Sequence, residues 1–317
     1  MLKPRVMGIA WRRNVAVFVL IWIAATWGLM FAPIKIAVGE IPVAGFLLLR
    51  LAYALCFLIP LVLWQRCKRP SSPISSNNDL TKWLYGIGAG VVLFLIYYLQ
   101  TAGLVETTSG TAGFITGLTV VFIPLITSVL ERKWPSPILC AIALLATIGL
   151  VIASVDSQKD TELFRIGKGE VLLFVGAFFN ALHIVIMAEG VRRIKGPSFI
   201  TIQVFICAML AYFILPTDLT SILLYSPTIH AIAFFCGFYV IGLLLVIQTW
   251  AQRQVTPFVV GMLFNLEPLF AVAGGALILG EVTSRHQVLG FSIMLAAIMW
   301  AHFLGSEHPV SEKKIPA

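Results

Sequence analysis

The sequence predicts an all-α integral membrane protein, with ten transmembrane helices arranged as two inverted five-helix repeats. Three observations predict it. Of 317 residues, 59% are hydrophobic and only 11% charged, with a mean hydropathy of +0.97, whereas soluble domains are about a quarter charged. The charges gather in short clusters, separated by charge-free runs that match the ~20 helical residues needed to cross a hydrocarbon core. The two halves of the chain also carry matching short patterns at a nearly constant offset.

Reading from charge cluster to charge cluster places spans at 15–35, 43–65, 83–105, 109–130 and 136–154, then at 169–189, 198–216, 228–252, 256–280 and 286–305. The run from Asn14 to Ile34 follows a basic N-terminus, as a signal peptide would. It is too long for an ordinary signal core and lacks a clear small-x-small cleavage site, so it reads as the first span. The hydrophilic stretches 66–82, with Pro70-Ser71-Ser72-Pro73 and Asn77-Asn78-Asp79, and 155–168 read as loops. The resulting organisation is a cytoplasmic N-terminus over 1–14, a first repeat over 15–154, an extracytoplasmic linker over 155–168, a second repeat over 169–305 and a cytoplasmic tail over 306–317.

Orientation follows from Lys and Arg. With alternate loops on opposite sides, one side holds Lys3, Arg5, Arg12, Arg13, Arg66, Lys68, Arg69, Lys82, Arg132, Lys133, Arg192, Arg193, Lys195, Arg253, Lys313 and Lys314. The other holds Lys35, Lys159, Arg165, Lys168 and Arg285, and Arg50 lies within a span. Basic residues accumulate on the cytoplasmic side, so both termini are expected there, in a cytoplasmic (inner) membrane.

The halves resemble one another. Leu99-Gln100-Thr101 parallels Ile247-Gln248-Thr249 at an offset of 148, and Leu130-Glu131 parallels Gly280-Glu281 at 150. Phe46 with Arg50 mirrors Phe199 with Gln203 at 153, and Pro42 and Pro197 stand near the starts of those spans. Five crossings per half is an odd number, so the second half must enter the membrane upside down relative to the first. Such inverted repeats mark secondary transporters, with a solute site near the midplane where the repeats meet.

Several function classes are excluded or disfavoured. Cys56, Cys67, Cys140, Cys207 and Cys236 are odd in number and show no CxxC spacing, which argues against disulfides and structural zinc. The net charge of +8 is explained by membrane-flanking loops, so no nucleic-acid partner is expected. No HExxH, GxSxG or GxxxxGK[ST] pattern occurs, so neither soluble-type catalysis nor direct nucleotide use is expected. The expectation is a non-enzyme without cofactor or metal, whose partners are a small-molecule substrate and the lipid bilayer. A homodimer stays open as an assembly.

The most specific local patterns are Asn265-Leu266-Glu267-Pro268-Leu269-Phe270, Leu279-Gly280-Glu281 and Gln287-Val288-Leu289-Gly290, joined by Trp27-Gly28 with Lys35 in the first span and Arg50 in the second. These resemble the drug/metabolite transporter superfamily in its EamA branch, over nearly the whole chain. The resemblance implies a ten-helix carrier working by alternating access, with a central cavity lined mainly by helices 1, 3, 4, 6, 8 and 9. It also implies a solute among amino acids, other small metabolites or drugs. The first repeat departs from the pattern, having Leu118-Thr119 where the second has Leu266-Glu267-Pro268, and Glu131 is followed by Arg132-Lys133.

Among individual residues, Glu267 falls about 11 residues into a span of about 25, close to mid-bilayer. A charge there costs on the order of 3 kcal/mol, so it should face a cavity, a partner or a proton. Its functional reading is a ligand for a substrate amine or a proton site; its structural reading is a glutamate bonded to a helix terminus or hydroxyl of the opposite repeat. Pro268 lacks an N–H, so the carbonyl of Phe264 should be left free.

Arg50, about 10 Å into the second span, should snorkel or pair with a carboxylate; a structural role is expected, with a substrate carboxylate as the alternative. Thr116 with Thr119, and Asn180 with His183, are i, i+3 pairs that each share a helix face. Gln100 and its mate Gln248 complete the buried polar set. His183 could titrate in a transport cycle or simply bond a neighbouring helix. Asn265 points away from Glu267 and should pack. Trp27 and either Tyr97 or Tyr98 are expected to form aromatic cavity walls, with Trp250 an interfacial belt residue. Gly86-xxx-Gly90 and Gly113-xxx-Gly117 should permit close helix contact.

The function expected from these residues is a secondary transporter that moves a small metabolite, an amino acid or related amphipathic solute, by alternating access, driven by protons or exchange. The alternatives are a channel and an intramembrane lipid-handling protein or enzyme built on Glu267 and His183.

Overall fold

Charge-free apolar runs place no side chain that competes with backbone hydrogen bonding, and in a bilayer the helix is the element that satisfies every N–H and C=O locally. The computed structural model describes residues 4–68, 79–130, 132, 134, 136–153, 167–193, 197–252, 254–255, 260 and 263–307, and its regular elements among these are helical. The helices are α1 (Pro4–Glu40), α2 (Val43–Lys68), α3 (Asp79–Val105), α4 (Ser109–Gly117), α5 (Thr119–Leu130), α6 (Pro137–Ala153), α7 (Lys168–Arg193), α8 (Pro197–Ile214), α9 (Leu219–Ile222) and α10 (Pro227–Phe234). A π-helical segment, Phe235–Leu244, leads into α11 (Leu245–Ala251), followed by α12 (Glu267–Leu279) and α13 (Arg285–Glu307).

Among the described residues, seven helical stretches are long and apolar enough to cross a membrane: Trp11–Glu40, Val43–Gln65, Trp83–Val105, Ser109–Leu130, Lys168–Met187, Pro197–Ile214 and Pro227–Ala251. The ten-span expectation is thus met only in part by length and composition. Helix α6 has 17 residues and α12 has 13, lengths of about 25 and 20 Å at ~1.5 Å per residue, against a core of about 30 Å.

Two expected single spans are also interrupted. The 109–130 span breaks at Leu118, whose N–H bonds the carbonyls of Ile115 and Thr116. The 256–280 span starts a new helix at Glu267 rather than running through it, because Pro268 has no N–H to continue a preceding helix and stands in the first turn of α12.

The exterior is apolar, as lipid contact requires: Phe18, Leu63, Ile148, Phe213 and Leu277 are exposed. Inside, helices from the first half pack chiefly against helices from the second. Helix α1 lies on α12 and α11, α3 on α7 and α8, α2 on α8 and the π segment, α4 on α12 and α7, α5 on α7, and α6 on α13.

Glycines set several of these approaches. Gly86 and Gly90 receive Ile202 and Ile206 of α8, and Gly113 and Gly117 receive Ala271 and Pro268 of α12. The two Gly-xxx-Gly spacings therefore sit at helix crossings. On the other side of the bundle, Gly237 and Gly242 receive Arg50 with Tyr53, and Phe57, of α2.

Candidate functional site

Glu267 is the first residue of α12, where its charge meets the positive end of the helix dipole. Its neighbour across the interface is α1. Gly28 lies against the Glu267 backbone carbonyl, Phe270 and Ala271, so that a side chain at 28 would not fit. One residue earlier, Trp27 packs on Phe264 with ring centroids 5.2 Å apart. Phe264 and Glu267 flank the turn at 265–266, so this turn places the Phe264 ring and the Glu267 backbone carbonyl beside α1. The Glu267 carboxylate is half-buried and has no hydrogen-bond or ion-pair partner among the described residues. Asn265 is buried, and its Oδ1 has no partner among them either.

A second group joins α3, α4, α5 and α7. Gln100 Nε2 donates to Thr116 Oγ1 at 3.3 Å. The Thr119 hydroxyl lies 2.6 Å from Thr116 O and 3.3 Å from Ala177 O, and Asn180 Nδ2 donates to it at 3.2 Å. Four of the expected site residues therefore form one polar lattice across the two halves. Gly113 and Gly117 carry this lattice against Pro268, next to Glu267.

The remaining expected residues go elsewhere. His183 Nε2 lies 2.8 Å from Gln203 Oε1 on α8, while Gln203 Nε2 donates to Phe199 O and Met187 Sδ. His183 thus does not share a partner with Asn180, one turn away on α7. Tyr97 lies under the Arg50 guanidinium at 4.4 Å, with Phe46 at 5.4 Å on that cation and Thr101 Oγ1 accepting from Nη2 at 3.2 Å. Arg50 is 4% exposed, so it does not snorkel, and no carboxylate among the described residues pairs with it. Its Nε has no partner among them. Tyr98 stacks on Phe94. Gln248, the repeat mate of Gln100, leaves Oε1 without a partner among the described residues.

Sequence reasoning missed a polar cluster at the far end of α1. Lys35 Nζ lies 3.0 Å from Glu281 Oε1 and donates to Thr107 O at 2.6 Å. Glu281 also accepts from Ser109 N, at 3.1 and 2.9 Å to its two oxygens, and from Ser109 Oγ. Thr107 Oγ1 donates to Glu170 of α7 at 2.8 Å. Thr107-Thr108-Ser109 before an apolar run is a helix-start signal, and Thr108 is the N-cap of α4. Read that way, it would have marked this end as hydrogen-bonding. Two further missed pairs link other helices: Tyr53 with His230, and Trp22 with Tyr239.

The model of the EamA-like transporter family matches this chain twice, over residues 14–155 and 167–302. The chain belongs to the EamA-like transporter family. Residues 156–166 separate the two matches. An uncharacterized transporter of Archaeoglobus fulgidus is 27% identical over 289 residues, covering 87% of this chain and 82% of that protein. A solved crystal structure superposes with a TM-score of 0.58 at 15% identity, covering 93% of this chain and 98% of its own, a likeness of fold. Family and apolar helices together make this EamA-like protein a multi-pass membrane protein, and they point to transport rather than enzymatic catalysis.

Proposed function

We propose that this EamA-like protein is a secondary transporter that carries a small amine-bearing solute, an amino acid or a related amphipathic metabolite, across the cytoplasmic membrane by alternating access. The single observation that carries the reading is the Glu267 carboxylate, without a protein partner among the described residues, on the turn three residues after Phe264, whose ring packs on Trp27. An uncompensated charge inside a membrane protein calls for a ligand or a proton, and an aromatic face on the same turn suits an ammonium group or a ring. The lattice of Gln100, Thr116, Thr119 and Asn180 offers neutral hydrogen-bonding groups for the rest of the solute. Drive comes from protons or from exchange, with Glu267 as the group that binds either the amine or the proton.

The helix packing supports two inverted halves. Exchanging the halves turns the α1–α12 contact into α7 against α4 and α5, the α3–α7 contact into α11 against α1, and the α3–α8 contact into the π segment against α2. The α2–α8, α4–α12 and α6–α13 contacts map onto themselves. A twofold relation of that kind is what alternating access by rocking of repeats requires. The Lys and Arg distribution supports both termini on the cytoplasmic side.

The test is counterflow in liposomes containing the purified protein, screened with amino acids, nucleosides and organic cations. Saturable uptake accelerated by preloaded solute is expected, and Glu267→Gln should reduce it at least tenfold and flatten its pH dependence. Unchanged transport and pH dependence in Glu267→Gln would remove the role assigned to Glu267. Flux without saturation or counterflow would replace the carrier with a channel.

A further inference from the structure

The polar cluster at the end of α1 ties together the helices that hold the candidate site. Lys35 is on α1 with Trp27, Ser109 opens α4 with Thr116, Glu170 begins α7 with Asn180, and Glu281 follows α12, which starts at Glu267. By helix rise, Lys35 stands about 12 Å beyond Trp27, Ser109 about 10 Å beyond Thr116 and Glu170 about 15 Å beyond Asn180. The cluster is therefore a cap over one side of the site. Lys35 lies near the end of α1 remote from the N-terminus, and α13 starts four residues after Glu281.

Its construction is specific. Gly280 adopts φ +66°, the left-handed conformation that glycine favours, and ends α12. The next N–H, that of Glu281, returns to Gly275 O at 3.0 Å. That turn aims the Glu281 carboxylate at the first N–H of α4 and at Lys35. A β carbon on Gly275 would run into this carboxylate, so that a side chain there would displace it.

Lys35 with Glu281 is the only ion pair recorded among the described residues, and its side chains retain 28% and 17% exposure. Both side chains of the pair are therefore within reach of water. Toward the other end of α1, an apolar cluster joins Leu20 and Ile23 to Leu244 of the π segment, Ala251 of α11 and Leu263 ahead of α12. Among the described residues, the Lys35 end is thus held by polar bonds, whereas the other end is packed mainly by apolar side chains.

We propose that Lys35 and Glu281, braced by Ser109 and Thr107, form the breakable gate on the side of the carrier remote from its termini, closed in this conformation. Opening separates the Glu281 turn from Lys35 and from the α4 N-terminus, exposing the Thr116 level to that side. The gate rests on the carrier reading, but its test needs no solute.

The reporter is Thr116→Cys in a full-length chain whose five cysteines are replaced, labelled in oriented vesicles by a membrane-impermeant maleimide from each side. Lys35→Met, Glu281→Gln and Gly275→Ala should each raise labelling severalfold from the Lys35 side only. The Lys35→Met/Glu281→Gln double variant should rise by less than the two single effects combined, because both changes remove the shared ion pair, while Lys35 alone also holds Thr107 O and Glu281 alone also holds Ser109. Gly275→Ala removes no charge, so it tests the geometry if a charge variant fails to fold. Unchanged labelling, an equal rise from both sides, or additive effects in the double variant would overturn the gate. Absence of any transport with the labelling pattern intact would instead count against the carrier reading.

Discussion

Gly28 of α1 presses directly on the backbone carbonyl of Glu267, 239 positions later in the chain. The missing side chain lets α1 meet the turn that starts α12. Gly28→Ala is expected to force the two helices apart at a cost of about 1–3 kcal/mol, read as a lower thermal midpoint in detergent. Gly39→Ala, on the same helix with open space around it, is the control and should leave the midpoint unchanged. Equal midpoints for both variants would contradict the contact.

Arg50 is held by the ring faces of Tyr97 and Phe46 and by Thr101. Desolvated cation–π contacts contribute about 2 kcal/mol, so Arg50→Leu should lower the yield of folded protein. Lysine keeps the charge but not the planar stacking surface, so Arg50→Lys should lie between Leu and wild type in thermal stability. Solute affinity of the folded fraction should not change; a normal midpoint with weakened solute binding would give Arg50 a role in recognition.

His183 is paired with Gln203 between α7 and α8. Replacing it by glutamine, which can also hydrogen-bond, should cost less than about 1 kcal/mol and leave the pH profile of flux where it was. A displaced profile in His183→Gln would show that this ring carries a proton in the cycle.

Asp218, exposed in the loop before α9, accepts from the hydroxyl and the N–H of Thr220 and caps that short helix. Those bonds, the hydroxyl's first, hold its carboxyl below the usual carboxylate range. A depressed folded-state value means the cap is fully present above the unfolded-state value and is lost as pH falls through the folded one. Hydrogen exchange at the Thr220 amide should accordingly be slow at neutral pH and quicken only in acid below the ordinary aspartate range. Exchange independent of pH, once the intrinsic rate is removed, would contradict the cap.

The membrane character and most helix positions were legible because lipid imposes a length and a polarity on each span. The glycine pairs at 86/90 and 113/117 were legible for a similar reason: their spacing alone puts both on one helix face. The breaks were harder to read. At Leu118 the breaker is Gly117, whose spacing from Gly113 reads equally as a helix-contact pair, and Pro268 reads equally as a kink inside a helix or as the first turn of a new one. Arg50 and Gln203, paired by the sequence, each follow a buried Phe by four residues and are themselves buried. Their partners differ, α3 for one and α7 for the other, because long side chains select whichever neighbour offers an acceptor or a ring. The Lys35–Glu281 pair spans 246 positions, a separation at which no local pattern operates.

The central claim, two halves that enter the bilayer in opposite senses and share one seam, is tested most directly by the sidedness of the chain ends. Single cysteines at Met1 and Ala317, in an otherwise cysteine-free chain, would be labelled by an impermeant reagent in intact cells and again after permeabilisation. Both should stay protected until permeabilisation, whereas labelling of one end alone in intact cells would contradict an odd number of crossings in each half.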